Sequence, residues 1–572
     1  MTTETQIKPR DVQTLQIAED TIAIRSRSWG RLRFEIEYAL QKGTTANSYL
    51  IQGNKTAIID PPGESFTEIY LEALQKRIDF DKIDFIVCGH VNPNRAETLK
   101  ALIDRAPQAT IACSNPAAIA LRSLIDDREV NIKVMRGEET LNLGKGHRLL
   151  FVPVPTPRWP DELCSYDPKT QVLFTDKFFG CHVCGDQVFD EGWTVYSDDR
   201  RYYFDCLMAP NAAQVETALD RLEAMPPARF YAPNHGPMVR DGMQELTALY
   251  HQWSKEQKTQ DLSVAMIFAS AYGNTGTVAA AIARGISKAG VRVDSINAEV
   301  ADPNEVQAAV EKSSGFIIGS PTLGGHAPTQ IQTALGIVLS TASKNQLAGV
   351  FGSFGWSGEA IDLLESKLQD AGFKLGFEPI RVKFKPTDVT LQYCEEVGTD
   401  FAQALKRTKK VRPAAKPANT TEQAVGRIVG SLSVVTAKQG DVSSAMLASW
   451  VSQATFNPPG LTVAVAKDRA IESLLHPGGH FVLNLLPEGD RISKHFMKRF
   501  APGEDRLEGI EIDTANNGCA VLKEGLAYLE CTVENRMECG DHWLVYGVAE
   551  AGNVLKPEKK TAVHHRKSGN HY

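Results

Sequence analysis

The stretch CGHVNPNRAET, residues 88–98, has the position of a metal-binding loop but unusual donors. The apolar run IDFIVCGH ends in His90, and the polar side chains of Asn92 and Asn94 follow at every second position. Imidazole is a common ligand of transition metals, whereas asparagine amides suit them poorly. Arg95 comes next, and a guanidinium that stays protonated cannot ligate a metal. The stretch therefore predicts the entrance to a metal pocket that is lined by amides and a cation.

A second group of residues has the character of a phosphate-binding turn. The run LSVAMIFAS, residues 262–270, is predicted to be a buried strand, and SAYGNTG continues from it. Val278, Ile282 and Ile286 then recur four residues apart, which predicts the apolar face of a helix. A strand, turn and helix in this order leave backbone N–H groups that can hold a phosphate. The turn alone is equally compatible with an ordinary connection between a strand and a helix.

Two further strand ends carry small and hydroxyl-bearing residues. The runs GFIIGSPTLGG and LAGVFGSFGWSGEA each predict a strand that ends in such a loop. Ligands of open parallel sheets bind beyond the carboxyl ends of the strands, and Tyr272 and Trp356 suit a flat ring. The chain lacks a GxGxxG fingerprint, which disfavours a Rossmann NAD domain. The predicted contact residues are Ser270, Tyr272, Gly273, Asn274, Thr275, Ser320, Pro321, Thr322, Leu323, Gly352, Ser353, Phe354, Gly355, Trp356 and Gly358.

The elements that must position these residues fall into three domains and a linker. The run RTKKVRPAAKPANTTEQ, residues 407–423, is basic and rich in Pro and Ala, so we expect an extended, exposed linker. Residues 1–260 alternate short strands and helices, with a hairpin predicted at Gly53 and Asn54. Residues 261–406 are predicted to form an α/β domain. Residues 424–572 contain the strand-like runs GSLSVVTAKQ, GLTVAVAKD and HFVLNLL and are mostly β.

Composition excludes several classes of function. The 572 residues carry a formal net charge of -7 and show no basic block, which argues against nucleic-acid binding. No apolar run approaches the roughly 20 residues that span a bilayer, and the N-terminus lacks a signal-peptide segment. The ten cysteines are scattered rather than arranged as a disulfide scaffold. We therefore expect a cytoplasmic protein with no membrane span.

The second and third domains resemble flavoproteins. The three loops of the second domain are similar to those of a flavodoxin, which implies bound FMN. The run SSAMLASWVSQATFNPPGLTVAVAKDR, residues 443–469, resembles the flavin reductases, split β-barrels that hold FMN or FAD and receive hydride from NAD(P)H. Hydroxyls, backbone amides and an arginine can physically hold a flavin phosphate, although a structural barrel with a chance match would show the same pattern. The matching residues are Ser449, Trp450, Val451, Thr455, Lys467 and Arg469.

The whole chain resembles the flavodiiron proteins of the three-module type found in oxygenic phototrophs. Supporting runs in the first domain are GTTANSYLI, RWPDEL, RYYFD and APNHGPM. The resemblance implies an α/β multidomain protein with a metallo-β-lactamase-like αββα domain, a flavodoxin-like domain and a flavin reductase split barrel. In that family the first domain holds two irons, whose ligands follow the order His-x-Glu-x-Asp, His, Asp and His.

The chain departs from this ligand pattern at most positions. His90 and His235 match the first and last histidines, and these two alone clearly survive. The positions that depart are Asn92 for Glu, Asn94 for Asp, Arg158 for His and Lys177 for Asp, with Arg95 at a further usual histidine position beside the metals. A one-residue slip would place Asp176 at the position of Lys177 instead. We expect no iron to bind, and we expect Asp161, Glu162, Asp176 or a trapped anion to balance the cations.

The resemblance implies electron transfer from NAD(P)H through two flavins towards reduction of O₂ to water. Because the metal ligands are replaced, we expect a photoprotective oxidoreductase that forms a homodimer or a hetero-oligomer with a related subunit whose diiron site is intact. The alternative is a metal-free regulatory or structural subunit without O₂ reductase activity of its own. The flavin motifs favour the first interpretation.

Overall fold

The computed structural model describes residues 8–30, 42–125, 128–409 and 420–566, which fall into two compact units. The described part of the first unit is residues 8–30, 42–125, 128–283 and 291–384. That of the second unit is residues 284–290, 385–409 and 420–566. Each unit is presented separately below.

The first unit begins with two sheets that pack face to face. The seven-stranded sheet comprises β1 Asp11–Ala18, β2 Thr21–Ser28, β3 Thr44–Gln52, β4 Thr56–Ile59, β5 Ile83–Cys88, β6 Thr110–Cys113 and β7 Asn131–Val134, in that spatial order. The second sheet comprises β8 Thr140–Gly144, β9 His147–Pro153, β10 Leu163–Asp167, β11 Val172–Asp176 and β12 Phe230–Pro233, again in sequence order. Tyr49 and Ile59 of the first sheet share one core with Leu149 and Phe174 of the second.

Helices cover the outer faces of these sheets, which completes the αββα architecture. They are α1 Thr67–Gln75, α2 Pro93–Arg105, α3 Asn115–Leu124, α4 Ser197–Leu207, α5 Ala212–Glu223 and α6 Met243–Lys258. Leu99, Leu102 and Ile103 of α2 are buried in one core with Ile58 and Ile86 of the seven-stranded sheet. The predicted hairpin is confirmed, since β3 and β4 pair antiparallel across Gly53 and Asn54.

A parallel sheet with helices follows in the same chain order as a flavodoxin. Its strands are β13 Ser263–Phe268, β14 Arg292–Asn297, β15 Gly315–Pro321, β16 Leu347–Phe354, β17 Lys374–Leu375 and β18 Ile380–Lys383. Its helices are α7 Asn274–Lys288, α8 Pro303–Lys312, α9 Thr329–Thr341, α10 Glu359–Asp370 and α11 Asp388–Lys409. The spatial order β14-β13-β15-β16-β17, with β18 also paired to β16, is the doubly wound order in which a ligand binds beside the first and third strands.

The second unit is built on an antiparallel barrel sheet. Its elements are α12 Thr420–Val425, β19 Gly430–Ser431, β20 Ser433–Gln439, β21 Val442–Ala448, β22 Val451–Phe456, β23 Pro459–Ala466, β24 His480–Leu485, α13 Ser493–Phe496, β25 Ile512–Thr514, β26 Ala520–Leu522, β27 Ala527–Cys539, β28 His542–Val554 and β29 Val563–His564. Seven strands follow the order β21-β20-β24-β27-β28-β23-β22. Their inward side chains form one core that includes Val435, Val463, Phe481 and Trp543.

The prediction of an extended linker is wrong at both of its ends. Helix α11 continues to Lys409, and residues 420–425 form α12. Buried Leu391, Phe401 and Leu405 hold α11 in place, and the basic residues after them are good helix formers that suit a helix C-terminus. Residues 410–419 of the predicted linker lie outside the described residues.

A buried ionic cluster joins the last turns of α7 to α11 within the second unit. Arg284 and Lys288 both bind the carboxylate of Glu395, which is fully buried. Glu472 lies 3.6 Å from Arg284 and forms a 3.0 Å ion pair with Arg536. Burial lowers the pKa of Lys288 to about 8, against the opposing attraction of Glu472. These contacts require the two helices to approach closely.

Gly285 is the residue that permits this approach, and its substitution is predicted to destabilise the protein. A Cβ at position 285 would lie 2.0 Å from the backbone oxygen of Glu395, so α7 would have to move away from α11. We expect Gly285→Ala to cost about 1–3 kcal/mol of unfolding free energy, measured by urea denaturation. The matched control is Gly336→Ala in α9, where a Cβ meets no atom within 4 Å. That change should stabilise the helix slightly, and equal effects at the two positions would contradict the packing argument.

Candidate functional site

His90 follows the end of β5 and is fixed by an acidic residue of the turn before β10. Its Nδ1 lies 2.7 Å from Asp161 Oδ1, while the backbone N–H of Val91 donates to Asp161 Oδ2 at 2.8 Å. The side chain and the backbone of this turn are therefore held by one carboxylate that is almost completely buried. Asp161, which was expected to balance a cation, instead orients the surviving histidine.

The two asparagines have structural roles in the same turn. Asn92 is the N-cap of α2, because its Oδ1 accepts the backbone N–H of Arg95 at 2.8 Å and Pro93 fills the first helical position. Asn94 Oδ1 accepts the backbone N–H of Glu64 at 3.2 Å and so ties α2 to the loop before α1. Both amide oxygens are thus used as hydrogen-bond acceptors for backbone groups.

Arg95 binds two carboxylates and the backbone of His90. Its guanidinium binds Asp176 through two parallel bonds of 2.7 Å and 2.9 Å and donates to the backbone oxygen of His90 at 2.7 Å. The guanidinium nitrogen that donates to His90 also lies 3.5 Å from Asp60 Oδ1. Arg95, Asp60 and Asp176 are all buried. A fork-to-fork pair of this kind is strong and directional, so the cation and the carboxylate fix one another.

The carboxyl groups around Arg95 differ in the direction in which their pKa values are shifted. Burial would raise the pKa of Asp176, but the charges of Arg95 and Lys177 hold it below its usual value. Burial and the neighbouring charge of Asp176 raise the pKa of Asp60 to about 7. The same two causes raise the pKa of Glu162 well above its usual value. Asp176 therefore carries the charge that balances Arg95, while the pKa values of its two neighbours are raised.

Lys177 is completely buried beside this pair. Its Nζ lies 3.5 Å from Asp176 Oδ1, and its backbone N–H donates to Glu162 Oε1 at 3.0 Å. Tyr203 donates its hydroxyl to the backbone oxygen of Lys177 at 2.9 Å. Of the acidic partners expected for the cations, Asp176 takes this role for both Arg95 and Lys177. Arg158 is half-buried, with its guanidinium 5.4 Å from the ring centre of Trp159.

Two histidines lie side by side at the other end of the pocket. His235 Nδ1 lies 2.7 Å from the backbone oxygen of Thr45, which fixes the ring. The ring of His182 lies 4.7 Å from it between centroids, and His182 Nδ1 contacts Thr44 Oγ1 at 2.7 Å. The sequence interpretation missed His182 and also Asp60. The sequence indicates Asp60 only through its position directly after the buried strand β4, in the run AIIDPP.

These side chains do not fit a pair of iron ions. Among the described residues, no group of three or more His, Cys, Asp or Glu side chains is arranged to hold a metal. Asn92 and Asn94 are engaged with backbone N–H groups, and Asp176 is bound at both oxygens by Arg95. A metal ion in this position would face two buried cations, Arg95 and Lys177, which oppose it electrostatically.

The loops of the parallel sheet, in contrast, fit a flavin phosphate and ring. Thr275 Oγ1 lies 2.7 Å from Ser353 Oγ, and this contact joins the first and third loops. The backbone N–H of Thr322 donates to the backbone oxygen of Ser353 at 2.9 Å. The Thr322 hydroxyl is buried and makes no hydrogen bond to the described residues. Tyr272 and Trp356 are 73% and 92% exposed at the rim. A buried unsatisfied hydroxyl beside exposed aromatic rings is the expected state of a site for a polar, flat ligand.

Two of the predicted flavin contacts have structural roles instead. Ser320 is fully buried and donates its hydroxyl to the backbone oxygen of Pro321 at 2.8 Å. A Cβ at Gly352 would lie 2.4 Å from the backbone oxygen of Ser320, so the glycine allows β15 and β16 to pair. Ser320 and Gly352 thus shape the loops through their contacts with neighbouring backbone groups.

The predicted flavin contacts of the barrel are spread along one hairpin. Thr455 pairs with Gly460 at the start of β23, whereas Lys467 and Arg469 follow the end of that strand. The rise of about 3.3 Å per residue puts roughly 20 Å between the two groups, so they cannot contact the same phosphate. Trp450 lies between them. Its ring is tilted against that of His542 at 5.0 Å between centroids, and the guanidinium of Arg566 lies 4.7 Å from its ring centre. The predicted contacts Ser449 and Val451 flank this tryptophan.

The fold and these sites define a flavin-dependent oxidoreductase assembled from three modules. Family profiles match residues 44–236 as ODP family beta lactamase, residues 266–398 as flavodoxin and residues 425–570 as a flavin reductase like domain. The predicted fold class is thereby confirmed. Among the described residues, no helix combines the length and the apolar character needed to cross a membrane.

Known proteins extend the match over the whole chain. A diflavin flavoprotein A 6 from Nostoc sp. (strain PCC 7120 / SAG 25.82 / UTEX 2576) is 67% identical over 569 residues, which cover 99% of this chain and 100% of the relative. Diflavin flavoprotein A 1 from Synechocystis sp. (strain ATCC 27184 / PCC 6803 / Kazusa) is 44% identical and covers 99% of this chain and 98% of that relative. The solved structure of the metal soaked Flv1 flavodiiron core from Synechocystis sp. PCC6803 is 64% identical, with a TM-score of 0.69, over 70% of this chain and 100% of that one. The chain belongs to the flavodiiron family of diflavin flavoproteins, which are oxidoreductases that transfer electrons through flavins.

Removal of Arg95 is predicted to destabilise the first domain strongly. Arg95→Ala would leave the buried carboxylate of Asp176 without its bidentate partner, and we expect a loss of about 3–5 kcal/mol in unfolding free energy. Urea denaturation measures this loss. Arg105→Ala, an exposed arginine in the last turn of the same helix, is the matched control and should cost less than about 1 kcal/mol.

A second variant distinguishes the stability lost with the ion pair from the stability lost with side-chain packing. Asp176→Asn removes the charge that Arg95→Ala leaves behind, so the double variant should be more stable than the sum of the two single effects predicts. Strict additivity would show that the Arg95 and Asp176 side chains do not depend on one another.

Proposed function

We propose that this protein carries electrons from NAD(P)H through a reductase flavin to FMN in the flavodoxin domain, and onward towards reduction of O₂ to water in an assembly with a related subunit. A flavin supplies the necessary chemistry because it accepts hydride as a pair and releases electrons singly. The observation that carries the proposal is the contrast between the two kinds of site. Arg95 and Asp176 form a buried ion pair beside His90, while the flavodoxin loops have a buried hydroxyl at Thr322 and exposed rings at Tyr272 and Trp356.

The residues of this chain would then bind the two flavins and cover their rings. Thr275, Ser353 and Thr322 would orient the phosphate end of FMN, and Tyr272 and Trp356 would cover its ring. In the barrel, Trp450 and Arg566 would line the reductase flavin, which is FMN or FAD. We propose domain limits of 1–260, 261–406 and 424–572, which contain the three profile matches, and a cytoplasmic, photoprotective role.

The ion pairs around Arg95 favour electron transfer to a partner over O₂ reduction by this chain alone. A pocket that holds the buried cations Arg95 and Lys177 opposes a pair of iron ions, so electrons from the flavins of this chain would need an acceptor in a partner. We propose that the partner is a related flavodiiron subunit with its metal ligands intact, in a hetero-oligomer rather than a homodimer. A metal-free regulatory subunit is the second candidate, and the same substitution of ligands supports it.

Metal content and flavin reduction together test this proposal. We expect the purified chain to contain far less than a stoichiometric pair of irons, to show bleaching of its flavin absorbance on addition of NADPH or NADH, and to consume O₂ only slowly. Addition of a relative with the full ligand set should accelerate O₂ consumption. Stoichiometric iron would contradict the closed pocket, and flavins that stay oxidised would leave only the regulatory role.

Conversion of the pocket back to the family pattern tests the role of Arg95. The combined change Asn92→Glu, Asn94→Asp, Arg95→His, Arg158→His and Lys177→Asp should give measurable iron binding, because it restores carboxylates and removes three cations. The same set without Arg95→His is the matched control and should bind little iron, since the guanidinium would still hold Asp176. Elemental analysis of both variants measures the difference, and equal iron in both would show that Arg95 does not close the pocket.

A further inference from the structure

Glu299 lies at the edge of the proposed phosphate turn because of the register between two strands. β13 and β14 are parallel, with Phe268 opposite Asn297, and the backbone N–H of Ala298 extends the pairing by donating to the Phe268 oxygen at 2.7 Å. Two residues beyond this pair on each strand, Glu299 therefore faces Ser270. The N–H of Glu299 donates to Asn297 Oδ1 at 3.0 Å, which shapes the turn that presents its side chain.

The carboxylate of Glu299 is bonded to the first N–H of the phosphate turn. The backbone N–H of Ser270 donates to Glu299 Oε2 at 3.2 Å. At the other end of the turn, the N–H of Gly276 donates to Ser270 Oγ at 2.8 Å. Both ends of the turn are thus closed by side-chain oxygens. An exposed anion at Glu299 lies where the phosphate group of a flavin would also place negative charge.

We propose that Glu299 is a specificity-determining residue of the phosphate subsite, which occupies the Ser270 N–H in the flavin-free chain and weakens binding of a phosphate-bearing flavin. This inference rests on the proposed FMN assignment of the flavodoxin domain. A phosphate monoester carries close to two negative charges at neutral pH, so a carboxylate beside its site repels it, and salt screens the repulsion because the site is open to solvent. Riboflavin has the same ring without the phosphate and should not be affected.

Binding of FMN and riboflavin to the full-length apoprotein tests the proposal. Glu299→Gln keeps an oxygen acceptor and removes the charge, while Glu299→Ala removes both. We expect the dissociation constant for FMN, measured by quenching of flavin fluorescence, to fall about 3- to 10-fold at low salt in Glu299→Gln and at least as far in Glu299→Ala. The riboflavin constant should stay unchanged. The matched control is Glu305→Gln, which removes the same charge from an exposed position in the first turn of α8.

The same titration distinguishes the two proposed flavin sites. Data are fitted with two binding constants, and the phase that Trp356→Ala weakens is assigned to the flavodoxin domain, since this 92% exposed ring can be removed without loss of core packing. The difference between Glu299→Gln and the unaltered chain should shrink as ionic strength rises.

The outcomes separate the inference from the function on which it rests. An FMN constant that is the same in the unaltered chain, Glu299→Gln and Glu299→Ala would overturn the role of Glu299, as would an equal change for riboflavin or for Glu305→Gln. Absence of any FMN phase sensitive to Trp356→Ala would overturn the FMN assignment itself. An FMN-specific, salt-dependent gain in affinity at Glu299 alone would establish the residue as a determinant of phosphate binding.

Discussion

The first domain depends on one buried ion pair between Arg95 and Asp176. An arginine cannot give up its proton in a protein interior, so its charge must be balanced where it stands. Asp176 supplies that balance through both of its oxygens, 2.7 Å and 2.9 Å from the guanidinium nitrogens. Breaking such a pair would leave an uncompensated buried charge, which costs far more than an exposed ion pair. The pair therefore fixes α2 against β11 and determines what else the pocket can contain.

The neighbouring groups follow from this pair. Because Asp176 carries the negative charge, the pKa values of Asp60 and Glu162 are raised by burial and by that same charge. A raised pKa lowers the ionised fraction of these two groups and so reduces the repulsion between neighbouring carboxylates. Asn92 and Asn94 add no charge, and they cap α2 and tie it to the preceding loop. The substituted positions thus contribute to the folding of this chain.

The sequence predicted the elements and much of the pocket, but not its bonding. His90, Arg95, Lys177 and His235 could be placed together because each stands in a recognisable flanking run. Asp60 could not, since it is 35 residues from Arg95 and only the pairing of β4 with β5 brings it near. Nor could the sequence decide that Asp161 would hold His90 while Asp176 took the cations, because that choice depends on distances of a few ångströms. The linker ends were mispredicted because composition indicated extension where packing of α11 prolongs a helix.

The flavodoxin loops and the pocket around Arg95 differ in the charges that they hold. In the flavodoxin loops the Thr322 hydroxyl is buried without a hydrogen bond among the described residues, and a bound polar ligand would supply one. In the pocket of the first domain, Arg95 and Asp176 already satisfy one another, so a cation beside them would have to displace an existing ion pair. The two sites thus differ physically, because the loops can accept a polar ligand whereas the buried cations of the pocket oppose a metal ion.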